Sequence, residues 1–112
     1  MATAFAEEAG RIHRDAHLSD AQIGAAVGAA PSTVRDWLAK RSSPGGSRAE
    51  RVAELAEIVD RLTRVMDPAY IPVWLSRPIE ALDDRKPLDL IGRGQARRVA
   101  RVISELESPG AV

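Results

Sequence analysis

The sequence predicts an all-α protein. Apolar residues recur at spacings of three and four through most of the chain, and no segment alternates apolar and polar residues as a strand would. The breaks fall at glycine, serine and proline clusters that end helices. These breaks divide the 112 residues into a module of short helices over 1–46, a connecting helix over 47–66 and a small helical module over 67–112.

The first helix is expected to be capped by Thr3, with Phe5, Ala9, Ile12 and Ala16 on one face and Glu7 and Glu8 near its positive end. His13 and His17 lie four apart, a spacing at which two histidines can share a metal. No third ligand stands nearby and neither belongs to an HExxH pattern, so they are read as surface or capping residues, and no metal or cofactor is expected. Ser19 can cap the second helix.

Residues 20–39, DAQIGAAVGAAPSTVRDWLA, read as two short helices at a sharp turn. Ile23 and Val27 sit one turn apart, and Val34 and Trp37 form an i, i+3 pair, so each helix offers an apolar stripe to a shared core. Gly28 supplies the break because a residue without Cβ enters the left-handed region freely. Gly24, Ala29 and Ala30 are small enough for the helices to approach closely. The pattern resembles the helix-turn-helix of the Cro/Xre repressors, whose second helix enters the DNA major groove. The resemblance implies a DNA face made by Ser32, Thr33, Arg35 and Asp36, with Lys40 and Arg41 within reach of phosphates. Arginine can pair bidentately with guanine, whereas hydroxyls and ammonium groups mostly fix the protein on the backbone.

Charge supports only a local field. The chain carries 16 Lys and Arg against 16 Asp and Glu. Between 31 and 48, however, Arg35, Lys40, Arg41 and Arg48 face Asp36 alone. So few phosphate contacts imply weak binding by one molecule, and hence a dimer or larger assembly. At this length a fold buries roughly two-thirds of its unfolded surface, which leaves no room for a large enzyme. The absence of cysteine excludes disulfides, Cys-ligated zinc and a cysteine nucleophile. No signal pattern opens the chain and no apolar run could span a bilayer, so a cytoplasmic protein is expected.

The loop KRSSPGGS separates the first module from a long helix, which is expected to open with a capping box of Ser47 and Glu50 and to run to about Met66. Val52, Leu55, Val59, Leu62 and Met66 form its seam, widened by Ile58 and Val65, with Glu50, Arg51, Glu54, Arg61 and Arg64 on the solvated face. The seam suits either a core helix or a dimerisation surface, and the two roles are compatible.

Asp67-Pro68 stops that helix. From Tyr70 to Ile91 the prolines Pro72, Pro78 and Pro87 restart short helical turns, and Ile71, Val73, Trp74, Leu75, Ile79, Leu82, Leu88, Leu90 and Ile91 are expected to form a second compact cluster. A last helix, from about Gln95 to Glu107, buries Ala96, Val99, Ile103 and Leu106. Arg93, Arg97, Arg98 and Arg101 lie on its other faces, with an Arg101–Glu105 pair at i, i+4.

The order Trp74-Leu75, Pro78 with Ala81-Leu82, Pro87-Leu88-Asp89-Leu90-Ile91, Gly94 and a final amphipathic helix resembles the toxin-binding domain of the Xre/MbcA/ParS antitoxins. With the helix-turn-helix, the likeness covers nearly the whole chain. It implies a type II toxin–antitoxin role in which the antitoxin blocks a RES-domain toxin that degrades NAD and represses the shared operon. The partners implied are that toxin, operator DNA, and a second copy of the chain or a larger toxin–antitoxin assembly. Toxin contacts are expected at Trp74, Arg97, Arg98 and Arg101. The resemblance puts the occluding element at Glu107, Ser108, Pro109, Gly110, Ala111 and Val112, a small segment whose terminal carboxylate is suited to an arginine-lined pocket. The chain departs from the family in placing Asp83-Asp84-Arg85-Lys86 where many members have a glycine-containing turn.

No catalytic constellation stands out. There is no Gly-rich phosphate loop after a strand and no nucleophile elbow, and Asp83-Asp84 read as helix caps or solvated charge. The rival reading is a stand-alone helix-turn-helix regulator with a different C-terminal partner. A third is an interaction protein that keeps the helix-turn-helix as scaffold.

Overall fold

A computed structural model describes residues 7, 10–14 and 16–108, and over these the chain is all-α. The first helix, α1, is helical at 7 and over 10–14, and Ile12 and Ala16 are buried as expected. The expectations for Thr3, Phe5, Glu8 and Ala9 lie outside the described residues. Helix α2 (Asp20–Val27) opens on a capping box. The Gln22 amide N–H donates to Ser19 Oγ at 3.1 Å, and the Ser19 N–H donates to Gln22 Oε1 at 3.0 Å.

Gly28 ends α2 at φ +75°. Its N–H and that of Ala29 both donate to the Gly24 carbonyl, at 2.8 and 3.0 Å. A Cβ on Gly24 would run into the Ala29 carbonyl oxygen, so Gly24 is needed by the turn that follows the helix. Pro31 then occupies the first turn of α3 (Pro31–Leu38), where its missing N–H costs nothing. Val34 and Trp37 turn inward, against the buried Ile23 and Val27 of the same core.

Helix α4 (Gly46–Leu62) starts earlier and stops sooner than its sequence suggests. Gly45 is the extended N-cap, and no side chain caps the helix, because Ser47 already lies inside the first turn. The expected Ser47–Glu50 box therefore does not form. Thr63 to Met66 leave the helix as turns, their N–H groups donating back to Val59, Arg61 and Leu62. Val52, Leu55, Ile58, Val59 and Leu62 are all buried within the one chain. The seam is spent on the protein's own core, and those positions offer no apolar face to a second copy.

Asp67 caps a 3₁₀ turn (Pro68–Tyr70), its Oδ1 accepting from the Ala69 N–H at 2.8 Å. Helix α5 (Ile71–Ser76), a second 3₁₀ turn (Glu80–Leu82), α6 (Pro87–Gly92) and α7 (Ala96–Glu107) follow. Between the second 3₁₀ turn and α6, Asp83 and Asp84 both take positive φ, +58° and +60°. The Arg85 N–H donates to the Leu82 carbonyl at 3.1 Å. This is the signature of a type I′ turn, and an isolated antiparallel bridge between Ile79 and Arg85 flanks it. Two aspartates thus fill positions that glycine or asparagine usually holds.

The expected second cluster does not stand apart. Helix α2 packs against α3, α4 and α6, and buried residues from Ile12 to Ile103 form one continuous core. Gly92 makes this possible, since a Cβ there would lie 2.6 Å from the Ala25 carbonyl oxygen of α2. Gln22 adds a polar tie. Its side-chain N–H₂ donates to Ser76 Oγ at 2.8 Å and to the Pro72 carbonyl at 3.2 Å, joining α2 to α5.

Candidate functional site

Two surfaces carry the residues singled out from sequence. The first is the outer side of α3 and the turn after it. Ser32, Arg35, Lys40 and Arg41 are exposed, and Thr33 and Asp36 are half-buried. Asp36 and Arg41 are committed to each other: Arg41 donates from Nη2 and Nε to Asp36 Oδ1 at 2.9 and 3.1 Å. The backbone enforces this pairing. The Arg41 N–H donates to the Asp36 carbonyl at 2.9 Å and the Lys40 N–H to the Trp37 carbonyl at 3.1 Å. These two bonds make a Schellman motif with Lys40 at the left-handed position, φ +61°. The turn projects the Lys40 ammonium outward and leaves Arg41 folded back on α3.

Arg35 is also held, but from another helix. Its Nη1 lies 3.6 Å from Oδ2 of Asp20, the first residue of α2. The other oxygen of that carboxylate, Oδ1, lies 3.4 Å from Nε2 of His13. Asp20 is the residue that sequence reasoning missed here. It stands fifteen positions before Arg35, outside any motif spacing, and only the fold joins them.

The second set of residues lies on α5 and α7. Trp74 is only 8% exposed and lies with Ile71 and Leu75 in the core, so it presents no face to a partner. Among the described residues, the large apolar side chains that reach solvent are Tyr70 at 39%, Val73 at 52% and Leu106 at 40%. Leu106 was expected to be buried, but the stripe of α7 is covered only as far as Ile103. Val73, expected in the second apolar cluster, instead reaches solvent three positions after Tyr70. The Tyr70 hydroxyl accepts from Arg77 Nη1 at 2.7 Å.

The basic residues of α7 divide by role. Arg97 and Arg101 are exposed. Arg98 donates to Asp83 Oδ2 at 2.9 Å and to Gln95 Oε1 at 3.0 Å, bracing the type I′ turn against the start of α7. Among the described residues Arg101 and Glu105 do not pair as expected.

Glu107, the last residue of α7, is anchored to α4. Arg61 donates from Nη2 to Glu107 Oε1 at 2.6 Å and from Nε to Oε2 at 3.2 Å, and also from Nη2 to Ser104 Oγ at 3.0 Å. The paired hydrogen bonds, with the attraction between the charges, hold the Glu107 carboxyl below its ordinary range and raise Arg61. Glu107 therefore fixes the end of α7 against α4. Ser108 is exposed, and Pro109, Gly110, Ala111 and Val112 lie outside the described residues. No described helix is long and apolar enough to cross a membrane.

No protein-family model matches the chain. Among characterised proteins it matches the mycobacterial cidal antitoxin MbcA of Mycobacterium bovis and of two Mycobacterium tuberculosis strains. Each is 33% identical over 85 residues, covering 76% of this chain and 75% of the relative. The fold superposes on a chain in the crystal structure of the M. tuberculosis MbcT–MbcA toxin–antitoxin complex with a TM-score of 0.83 and 29% identity, over 96% of both chains. The sequence match spans most of both proteins and the fold agrees nearly from end to end, so the chain belongs to the MbcA family of toxin–antitoxin antitoxins.

Proposed function

We propose that this protein is a cytoplasmic antitoxin that binds and blocks the active site of a RES-domain, NAD-degrading toxin, and that it represses its own operon by binding operator DNA. The observation that carries the reading is the agreement of 96% of the chain with a protein from a toxin–antitoxin complex, helix-turn-helix and C-terminal module together. On this reading the chain itself does no catalysis. It works by covering a partner's site and by holding a promoter.

The toxin half uses the surface around α7. Arg97 and Arg101 offer exposed guanidinium groups to an acidic partner and Leu106 offers apolar contact area, with Tyr70 and Val73 at α5 as further exposed apolar side chains. The Arg61–Glu107 pair fixes the end of α7, and the segment 108–112 that follows enters the toxin's pocket. The DNA half uses α3, with Arg35 at base edges and Ser32, Thr33 and Lys40 on the backbone. Two copies, brought together in the toxin–antitoxin assembly, provide the phosphate contacts that one copy lacks.

The test is co-expression with the neighbouring open reading frame, isolation of the complex, and an assay of NAD consumption with and without deletion of residues 107–112. A tight complex that is silent when intact and consumes NAD once the segment is removed is the expected result. If no complex forms and the neighbour leaves NAD untouched, the antitoxin reading is overturned and the chain is a regulator with another C-terminal partner.

A further inference from the structure

We propose that Asp20 is a positioning residue for sequence readout: it holds the Arg35 guanidinium in the attitude from which its free edge meets a base. The inference rests on the DNA-binding half of the proposed function and adds to it a residue outside the recognition helix.

Asp20 sits where three helices meet. One carboxylate oxygen faces Arg35 of α3 at 3.6 Å and the other faces His13 of α1 at 3.4 Å. Oδ1 is shut off from water and accepts no hydrogen bond among the described residues. An acceptor buried without a partner is costly, and water would relieve it if the carboxylate turned outward. Instead the group lies between Arg35 and His13, side chains of two other helices, so its direction is set by what the bundle packs around it.

The consequence falls on Arg35. Its side chain is 59% exposed, and an arginine so placed ordinarily samples many rotamers and settles on the nearest phosphate. With Nη1 drawn toward Asp20, the planar fork is oriented, and the Nε and Nη2 hydrogens remain for the O6 and N7 acceptors of guanine. The Asp20 charge also opposes a phosphate at that spot, which penalises a backbone contact relative to a base contact.

The test measures binding of the full chain, in complex with its toxin, to a duplex from its own promoter and to a scrambled duplex of equal composition. Asp20→Asn is expected to reduce the preference for the promoter by roughly fivefold or more, because an oriented bidentate contact is lost, while binding to the scrambled duplex holds or rises. Asp20→Glu should restore part of the preference. In an Arg35→Ala background Asp20→Asn should have no further effect.

Several results overturn the inference. If Arg35→Ala removes the preference but Asp20→Asn leaves it intact, Arg35 reads DNA unaided. If Asp20→Asn costs as much with Arg35→Ala present as without it, Asp20 acts on the fold. Should the asparagine variant fail to fold, Asp20→Ser, which keeps a residue favoured at helix starts, takes its place in the same comparison. A wild-type complex that binds both duplexes alike overturns the DNA-binding reading, and this inference falls with it.

Discussion

Arg61 and Glu107, 46 positions apart, are joined by two hydrogen bonds that close α7 onto α4. The pair lies at the surface, so its strength depends on pH and salt. Hydrogen bonding to Arg61 lowers the folded-state pKa of Glu107, so its contribution to stability is complete above the ordinary carboxylate range. That contribution is lost as pH falls through the lowered folded value. The melting temperature of wild type should therefore exceed that of Glu107→Gln at pH 7. The gap should narrow in acid, and it should also shrink in high salt. A gap that stays constant from pH 7 down to pH 3 would mean the carboxylate plays no part.

Asp84 occupies the second left-handed position of the type I′ turn at φ +60°. Consecutive left-handed L-residues are strained, although aspartate tolerates the region better than most. Asp83 is further secured by Arg98, but Asp84 has no such tie among the described residues. Asp84→Gly should therefore raise stability by up to about 1 kcal/mol, the glycine's greater freedom in the unfolded chain offsetting part of the relief. Urea unfolding with an unchanged slope and a higher midpoint would establish it.

Gly92 is the point where α6 meets α2. A methyl group 2.6 Å from the Ala25 carbonyl oxygen meets backbone, which cannot swing aside. Gly92→Ala should force the two helices apart and destabilise the protein by about 1–3 kcal/mol. Wild-type stability in this variant, measured by thermal or urea unfolding, would show that α6 can shift at no cost.

What the sequence reveals of this fold is what local chemistry decides. The Ser19 cap, the Gly28 turn, the inward Val34 and Trp37 and the α4 stripe each depend on residues within a turn or two of one another. The ties that set the tertiary arrangement are different in kind. Gln22 with Ser76, Gly92 with Ala25, Arg61 with Glu107 and Asp20 with Arg35 join residues that no periodicity connects. For that reason the two modules read as separate apolar clusters, whereas α2 fuses them. Leu106 is exposed where burial was expected for a related reason: a stripe tells which side of a helix is apolar, but not how far its neighbour extends to cover it. The surface around α3 was legible as a group of residue types. Its internal pairing was not, and Asp36 with Arg41 is the clearest case.

Lys40 separates stability from DNA binding. It occupies the left-handed position of the Schellman motif at φ +61°, a place where glycine is preferred. Relieving that strain by Lys40→Gly should stabilise the protein by up to about 1 kcal/mol. The ammonium, however, is exposed beside the proposed DNA face, and its loss should weaken binding about equally on promoter and scrambled duplexes. It should also reduce the slope of log affinity against log salt by about one. Arg41→Ala offers the contrast. Because that guanidinium is folded onto Asp36, its removal should change the salt slope less than Lys40→Gly does. If Lys40→Gly raises the unfolding midpoint while leaving the salt slope untouched, Lys40 makes no phosphate contact and the DNA surface ends at α3.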